Sequence, residues 1–189
     1  MDVGLYFGSF NPIHIGHCII ANHVINNTPL NQVWFIVSPQ NPLKSSINLL
    51  NEYHRLHLVQ MAIEGETSLR ASDIEFQLPR PSYTIDTLTY LEEKYANYNF
   101  SVIMGSDSFQ NLKNWKNYQL LINRFKIYIY VRPGFEVTNI SSQKIKIVDA
   151  PLLQISSTHI RENIRNKKSI KFLVPDKVKE EIERNSYYK

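Results

Sequence analysis

Apolar segments rich in β-branched and aromatic residues alternate along this chain with amphipathic segments of helical period. The apolar segments are Val3–Phe7, Val33–Val37, Phe100–Met104, Lys126–Val131 and Ile145–Val148. The first, second and fourth are apolar almost throughout, as is typical of strands covered on both faces. Leu49–Ile63, with Tyr53 and Leu56 on its apolar stripe, and Thr84–Tyr95 have the helical spacing. Because strand–helix–strand order favours right-handed crossovers, the sequence predicts an α/β fold, a mostly parallel sheet with helices on both faces.

Length and composition favour one domain over residues 1–189, with a helical C-terminal part over about 150–189. A hydrophobic fraction of 43% is sufficient for one core. Ser38–Asn48 is a polar loop too long for a tight turn, and we expect it to carry substrate contacts or to act as a lid. We expect a last helix to start near Asp176, because Pro175 precedes it and Asp176 could cap it.

The composition argues against several classes of protein. No apolar run approaches the roughly 18 residues of a membrane span, and the chain begins directly with a strand rather than a secretory signal. Cys18 is the single cysteine, so we expect no disulfide framework and a reducing, cytoplasmic setting. The net charge of +4 suits a protein that handles phosphates. We expect no stable nucleic-acid complex, because no basic stripe is interleaved with aromatic residues.

The segment Gly8–His17, with the sequence GSFNPIHIGH, follows the first apolar run directly and leads into an apolar helix. Small residues after a strand let the backbone approach an anion, and the N–H groups at a helix N-terminus point at its charge. His14 and His17 can face one ligand if the helix has begun there. The residues alone leave open whether they bind a ligand or cap backbone groups. A zinc site would need further ligands, which do not lie close in sequence.

Two later segments could also bind a ligand at a strand end or a helix start. In Ile155–Arg161, a serine can cap a helix that carries Arg161 one turn in, which is either a capped surface helix or a second anion site. Gly105–Phe109 follows a strand directly. Its glycine would let a ligand approach, while Asp107 could accept hydrogen bonds from ribose hydroxyls or cap the next short helix.

The first two of these segments resemble motifs of the nucleotidylyltransferase superfamily. Gly8–His17 is similar to the G-T-F-D-P-x-H lead-in and the T/HxGH signature, and Ile155–Arg161 is similar to the ISSTxIR motif. Ser9 stands for the usual threonine, Asn11 for aspartate and Phe7 for a glycine. Ser9 and Asn11 keep the hydroxyl and the side-chain acceptor, so we do not expect these departures to abolish function.

Further segments resemble bacterial nicotinate-nucleotide adenylyltransferases in particular. Gly105–Trp115 is similar to their G-A/S-D-x-F-x-x-L-x-x-W segment, Pro81–Leu88 to SYTxDTL, and Pro39–Lys44 to a P-x-x-x-P-x-K loop. The tail from Val174 resembles the C-terminal helix of that family. The likeness runs from about residue 4 to residue 187, with order and spacing kept.

The resemblance implies a Rossmann-like fold of the nucleotidylyltransferase type and a reaction in NAD biosynthesis. Nicotinate mononucleotide and ATP would give deamido-NAD and pyrophosphate. Mg²⁺ would enter bound to ATP oxygens rather than in a protein cage, since magnesium usually keeps several of its waters.

The resemblance also implies roles for single residues. The catalytic set would be His14, His17, Arg161 and Lys44. The ATP-binding set would be Gly8, Ser9, Phe10, His14, His17, Gly105, Asp107, Ile155, Ser156, Ser157 and Arg161. The substrate-binding set would be Lys44, Arg55, Thr84, Trp115 and Arg132, with Thr84 and Trp115 at the pyridine ring.

Other functions share parts of this pattern. An adenylyltransferase of the same superfamily acting on nicotinamide mononucleotide or phosphopantetheine would use the histidines and Ser156–Arg161 equally well, but phosphopantetheine would not account for the Thr84 and Trp115 segments. A nucleotide-binding module without catalysis and a basic RNA-associated protein are further alternatives. Residue types alone do not decide between carboxylate and amide, nor whether the chain forms a homo-oligomer.

Overall fold

A computed structural model describes residues 1–40, 48–137, 142–151 and 153–189. In these residues six strands form one sheet: β1 Asp2–Gly8, β2 Gln32–Val37, β3 Leu69–Ser72, β4 Asn99–Gly105, β5 Lys126–Tyr130 and β6 Ile145–Val148. The helices are α1 Ile15–Asn27, α2 Glu52–Ala62, α3 Thr84–Lys94, α4 Ser106–Gln110, α5 Tyr118–Arg124, α6 Ser157–Arg165 and α7 Asp176–Arg184. Two 3₁₀ turns cover Ile74–Gln77 and Leu112–Asn114.

All neighbouring strands are parallel, in the order β3-β2-β1-β4-β5-β6. This confirms the predicted α/β fold with a parallel sheet. The strand order reverses between β1 and β4, and open α/β sheets bind ligands beyond the carboxyl ends of the strands at such a point. Gly8 and Gly105 end those two strands, so the fold brings together two of the segments that the sequence singled out.

The sheet is covered on both faces by separate groups of buried side chains. On one face, helices α1, α2, α6 and α7 pack through residues such as Val24, Leu58, Ile160 and Val178. On the other face, α3 and α5 pack through residues such as Leu88 and Leu121. Residues of β2 alternate between the two groups, with Phe35 in the first and Trp34 in the second. This double coverage explains the almost unbroken apolar sequences of the central strands.

Strand β3 is absent from the sequence-based prediction. Its sequence, Leu-Arg-Ala-Ser, has no apolar run, and only Ser72 in it is buried. It lies at an edge of the sheet and pairs only with β2. An edge strand of this length is held by its backbone pairing and leaves little signal in side-chain pattern.

The helix after β2 is also rotated relative to the prediction. Tyr53, expected on the apolar stripe, is 63% exposed, while Arg55, Leu58 and Val59 form the buried face of α2. The prediction of the buried face was wrong because it considered apolar residues alone, and the buried face includes the charged residue Arg55.

The C-terminal helices begin close to the predicted positions. Ser156 caps α6 by accepting a hydrogen bond from the backbone N–H of His159 at 3.2 Å. Helix α7 starts at Asp176, but Pro175 occupies the cap position and Asp176 is the first helical residue. No helix within the described residues has the length and apolarity needed to cross a bilayer.

Helix α6 depends on Ile160, which is fully buried beneath it. We predict that Ile160→Ala lowers the free energy of unfolding by about 2–5 kcal/mol, because it removes buried methyl groups and leaves a cavity. Urea denaturation followed by circular dichroism measures this change. Leu120→Ala, at a side chain that is 46% exposed, is the matched control and should change stability by less than about 1 kcal/mol. Equal effects of the two substitutions would contradict this packing.

Candidate active site

Side chains from other parts of the protein hold the loop between β1 and α1 by hydrogen bonds to its backbone. Three side chains each donate a hydrogen bond to one of its carbonyl oxygens. The pairs are Arg55 Nη1 to Ser9 at 2.6 Å, Arg161 Nη1 to Asn11 at 2.8 Å and Ser157 Oγ to Pro12 at 2.8 Å. The donors come from α2 and α6, which lie over 40 and over 140 residues further along the chain. The first and the last third of the chain therefore meet at this loop, which we call the pinned loop, residues 9–14.

Asn11 links the pinned loop to the segment before α2. Its side-chain Nδ2 donates to the carbonyl oxygen of Asn48 at 2.8 Å, and its Oδ1 accepts from the backbone N–H of Leu50 at 3.1 Å. An ionised aspartate could make only the second of these bonds, because it has no donor. The asparagine that departs from the superfamily pattern thus uses both its amide nitrogen and its amide oxygen in hydrogen bonds.

Phe10 adopts a backbone conformation that bulky residues rarely take. Its φ is +45°, in the left-handed region that costs energy for a residue with a Cβ atom. Its ring is buried and packs edge-on against Tyr6, Phe35 and His17. The Phe10 ring also lies over Gly8, where a Cβ atom would come within 2.9 Å of it. The aromatic packing and the bond from Arg55 hold this strained turn in place.

Arg55 has a different role from the substrate contact expected from the sequence. The side chain is completely buried, and its guanidinium donates to four backbone carbonyl oxygens. Besides Ser9, these are Leu50 at 2.7 Å, Ser38 at 2.7 Å and Pro39 at 3.0 Å. Burial lowers the pKa of Arg55 to about 10, so it remains a cation at neutral pH. Arg55 clamps the ends of β1 and β2 onto α2.

His14 and His17 lie together at the N-terminus of α1. Their rings are stacked, with centroids 3.6 Å apart and planes inclined by 23°. The backbone N–H of His14 donates to Nδ1 of His17 at 3.2 Å, which assigns the proton of a neutral His17 ring to Nε2. A Cβ atom on Gly16 would come within 3.1 Å of the His14 ring. Glycine at position 16 therefore makes room for the stacked pair.

His14 is a neutral imidazole in a buried setting. The residue is 4% exposed, and its Nδ1 is buried without a hydrogen-bond partner in the described parts of the chain. Burial, and secondly the positive charge of Arg132, lowers the pKa of His14 to about 3. The same cavity is lined by His17, Arg132 and Ile155, so residues from two of the predicted ATP-binding segments meet there with Arg132, which was predicted to bind the substrate.

Asp107 and Arg132 form an ion pair across the ends of β4 and β5. Arg132 Nη1 lies 2.8 Å from Oδ2 of Asp107, and both side chains are about one-third exposed. A Cβ atom on Gly105 would come within 2.9 Å of the Arg132 side chain. Below the pair, the hydroxyls of Tyr6 and Tyr130 share a hydrogen bond of 2.9 Å. The sequence assigned Asp107 to ribose and Arg132 to the substrate, and the structure brings the two into one cluster.

At α6, the predicted phosphate-binding residues also have partners within the protein. Ser156 caps the helix and Ser157 binds the pinned loop. Besides its bond to Asn11, Arg161 donates through Nη2 to Thr158 Oγ1 at 3.2 Å. Its Nε is buried and has no partner among the residues that the structure describes. The helix start thus lies against the pinned loop, as a second anion site beside the first would require.

Thr84 and Trp115 lie near a second cluster. Thr84 is the first residue of α3, directly after the cap residue Tyr83, and Trp115 ends the second 3₁₀ turn. Lys116 joins the two segments, with Nζ 2.7 Å from Oδ2 of Asp86 and 4.9 Å from the centre of the Tyr83 ring. Trp115 is half-buried. The predicted pyridine-binding segments are therefore neighbours in space.

The sequence analysis missed Glu75, a buried carboxylate under the Thr84 segment. Glu75 is 2% exposed and accepts hydrogen bonds from Ser82 Oγ at 2.7 Å and Thr87 Oγ1 at 2.9 Å. Burial raises the pKa of Glu75, against hydrogen bonds that lower it. A lone glutamate between the apolar residues Ile74 and Phe76 was the available signal.

The remaining predicted site features are Lys44 and the absence of a metal site formed by the protein. Lys44 lies outside the described residues. Among the described residues, no group of three or more His, Cys, Asp or Glu side chains is placed to hold a metal ion.

A sequence model of the cytidylyltransferase-like family matches residues 5–163. The chain belongs to this family. Relatives over the full chain are named probable nicotinate-nucleotide adenylyltransferases. The protein of Flavobacterium psychrophilum is 51% identical and that of Flavobacterium johnsoniae 48%, each covering 100% of both chains. The protein of Bacteroides thetaiotaomicron is 42% identical over 96% of this chain and 91% of its own. These findings confirm the family resemblance inferred from the motifs.

Solved structures confirm the nucleotidylyltransferase type of the Rossmann-like fold. The nicotinic acid mononucleotide adenylyltransferase of Plasmodium falciparum, complexed with NaAD, superposes with a TM-score of 0.84 at 21% identity. The alignment covers 99% of this chain and 97% of that one. A putative nicotinate-nucleotide adenylyltransferase from Vibrio parahaemolyticus gives a TM-score of 0.74 at 19% identity, covering 99% and 94%.

The clamp formed by Arg55 leads to a prediction about stability. Arg55→Met should lower the free energy of unfolding by about 3 kcal/mol or more, because it leaves several buried carbonyl oxygens without a donor. Arg55→Lys keeps the charge but not the planar fork, so it should recover only part of the loss. Urea denaturation measures both variants. A change below about 1 kcal/mol for Arg55→Met would contradict the clamp.

The buried His14 leads to a prediction about pH. The unfolded chain takes up a proton on this histidine near pH 6.5, whereas the folded chain does so only near pH 3. Between these values stability is therefore lost as the pH falls. Between pH 6 and pH 4, we expect the wild type to lose about 1.4 kcal/mol per pH unit more than His14→Asn. Urea denaturation at several pH values tests this, and parallel pH profiles would contradict it.

Proposed function

We propose that this protein transfers the adenylyl group of ATP to nicotinate mononucleotide, giving deamido-NAD and pyrophosphate in NAD biosynthesis. The observation that carries the proposal is the meeting of two anion-binding elements. The pinned loop leads to the N-terminus of α1 with its stacked histidines, and the start of α6 with Arg161 bonds directly to that loop. The names of the full-length relatives, at 42–51% identity, support the same reaction.

The reaction needs position and charge more than a covalent nucleophile. A phosphate oxygen of the mononucleotide attacks the α-phosphorus of ATP in line, a new P–O bond forms, and the bond to pyrophosphate breaks with its electron pair. His17 and His14 bind the reacting phosphates, with backbone contacts from Gly8, Ser9 and Phe10. Arg161 and the helix start at Ser156 and Ser157 hold the outer phosphates. Donors placed where charge develops on the leaving group accelerate the reaction.

The acceptor is recognised on the other side of the strand order reversal. Thr84 at the start of α3 and Trp115 cradle the pyridine ring, and Glu75 holds the Thr84 segment from below. Gly105 and Asp107 bind on the ribose side of ATP, and Arg132, which pairs with Asp107, binds the substrate. Arg132 and Ile155 line the cavity beside the two histidines. For Lys44, the family resemblance implies a role in binding charge on the nucleotide or on the leaving group. Arg55 acts on the pinned loop and not on the substrate.

The remaining parts of the proposal concern partners and setting. Mg²⁺ enters as part of the ATP substrate, since magnesium usually keeps several of its waters. Residues 1–189 act as one nucleotidylyltransferase domain. The protein works in the cytoplasm on ATP and the mononucleotide, without a stable nucleic-acid partner, and its assembly into a homo-oligomer is a question for solution measurement.

One assay tests this function and its alternatives together. Purified protein is given ATP and Mg²⁺ with nicotinate mononucleotide, nicotinamide mononucleotide or phosphopantetheine, and pyrophosphate release is followed. We expect the highest kcat/KM with nicotinate mononucleotide. A preference for nicotinamide mononucleotide would instead assign the protein to the reaction that forms NAD directly. Activity with phosphopantetheine alone would refute the assignment of Thr84 and Trp115.

The phosphate role of His17 gives a direct prediction. His17→Ala should lower kcat by about 100-fold or more, because it removes a donor to the reacting phosphates. The protein should remain folded, with a lower melting temperature because the ring's contacts with His14 and Phe10 are lost. His159→Ala, an exposed histidine on α6, is the matched control and should retain wild-type turnover. Near-normal turnover of His17→Ala would refute the role.

A further inference from the structure

The last five residues turn back onto the protein instead of trailing from α7. Asn185 Nδ2 bonds to the backbone oxygen and to Oε1 of Glu181, at 3.0 and 2.8 Å. The backbone N–H of Tyr187 donates to the oxygen of Ile182 at 3.1 Å. Ser186 and Tyr188 have left-handed φ values of +55° and +67°. Two non-glycine residues in this conformation show that the tail is held in place by its surroundings.

The tail packs against α2 and the first core group. The hydroxyl of Tyr187 shares a hydrogen bond of 2.9 Å with Nδ1 of His54, and the two rings lie 5.1 Å apart. The rings of Tyr187 and Tyr188 both pack against the core between the sheet and its helices. Of the two adjacent tyrosines, Tyr187 has a hydrogen-bond partner for its hydroxyl.

The hydroxyl of Tyr188 is buried and has no hydrogen-bond partner among the described residues. Burial raises the pKa of Tyr188, while the positive charges of Arg55 and Arg161 act against this rise. The hydroxyl thus lies in the field of both arginines that bind the pinned loop. An unpaired buried hydroxyl is unfavourable for folding, so a functional partner would explain why a tyrosine stands there.

Arg161 offers the complementary group. Its Nη1 and Nη2 have partners, Asn11 and Thr158, but the Nε–H is buried and unpaired. A donor and an acceptor, both buried and both without partners, belong to side chains that interact electrostatically. Phosphate oxygens are stronger acceptors for a guanidinium than a carbonyl oxygen. Each Nη atom carries two N–H groups, so the outer phosphates of ATP can bind Arg161 while its bond to Asn11 persists.

We propose that Tyr188 is a positioning residue for Arg161 and that the C-terminal tail is part of the ATP site. When the outer phosphates of ATP engage the Nη atoms of Arg161, its Nε–H donates to the Tyr188 hydroxyl, which fixes the guanidinium plane. Arg55 keeps its four backbone bonds. This inference rests on the proposed adenylyl transfer, but it concerns the ATP half of the site alone.

The matched pair Tyr188→Phe and Tyr187→Phe tests the inference. Tyr188→Phe should raise KM for ATP, or the Kd for ATP measured by calorimetry, by about 10-fold, because it removes a hydrogen bond to a charged group. Its melting temperature should not fall, since the lost hydroxyl has no partner in the free protein. Tyr187→Phe should show the reverse, with a lower melting temperature and unchanged ATP kinetics.

A double-mutant cycle with Arg161→Lys identifies the partner. Lysine has no Nε–H beside a planar fork, so Tyr188→Phe should have little further effect in that background. Wild-type ATP affinity in Tyr188→Phe, or an undiminished effect on top of Arg161→Lys, would overturn the inference. Loss of the proposed function itself is recognised separately, as absence of pyrophosphate release by the wild type with every acceptor.

Discussion

Hydrogen bonds from Arg55, Arg161 and Ser157 to the backbone of the pinned loop are the interactions on which the site depends. They join α2 and α6 to a loop that leaves the central strand β1. A carbonyl oxygen held on one side of a peptide turns the following N–H to the other side. The bond from Arg55 to Ser9 therefore sets the direction of the Phe10 N–H. The strained φ of Phe10 persists because the surrounding contacts determine it.

This arrangement separates structural charges from reactive ones. Arg55 is fully buried and donates to four carbonyl oxygens, whereas the Nε–H of Arg161 on α6 has no partner among the described residues. His14 is neutral because it is buried next to Arg132, so it can donate or accept without adding a second cation at that point. In the proposed reaction, groups already held in place would need little rearrangement, which is the condition for effective electrostatic catalysis.

The sequence predicted the parallel α/β fold and marked Gly8–His17, Gly105–Asp107 and Ile155–Arg161 as strand ends and helix starts, because these have local signals. The joint assignment of the three segments to ATP came from the family resemblance. It did not predict β3, whose pairing is carried by the backbone. It also misjudged Arg55, since helical period cannot show that a charged residue will find four carbonyl oxygens from distant loops. Glu75 was missed for the same reason, because its hydroxyl partners come from later positions. Local conformation could therefore be predicted from the sequence, whereas side-chain contacts between distant segments could not.

The central claim is that the pinned loop positions the phosphates for one direct in-line displacement, without a covalent intermediate on the protein. The stereochemical course at the α-phosphorus tests this most directly. With ATP carrying a chiral α-thiophosphate and nicotinate mononucleotide as acceptor, direct transfer predicts inversion of configuration in the product. Retention would mean two successive displacements through an adenylyl–enzyme intermediate, with the neutral His14 as an available nucleophile, and would contradict the account.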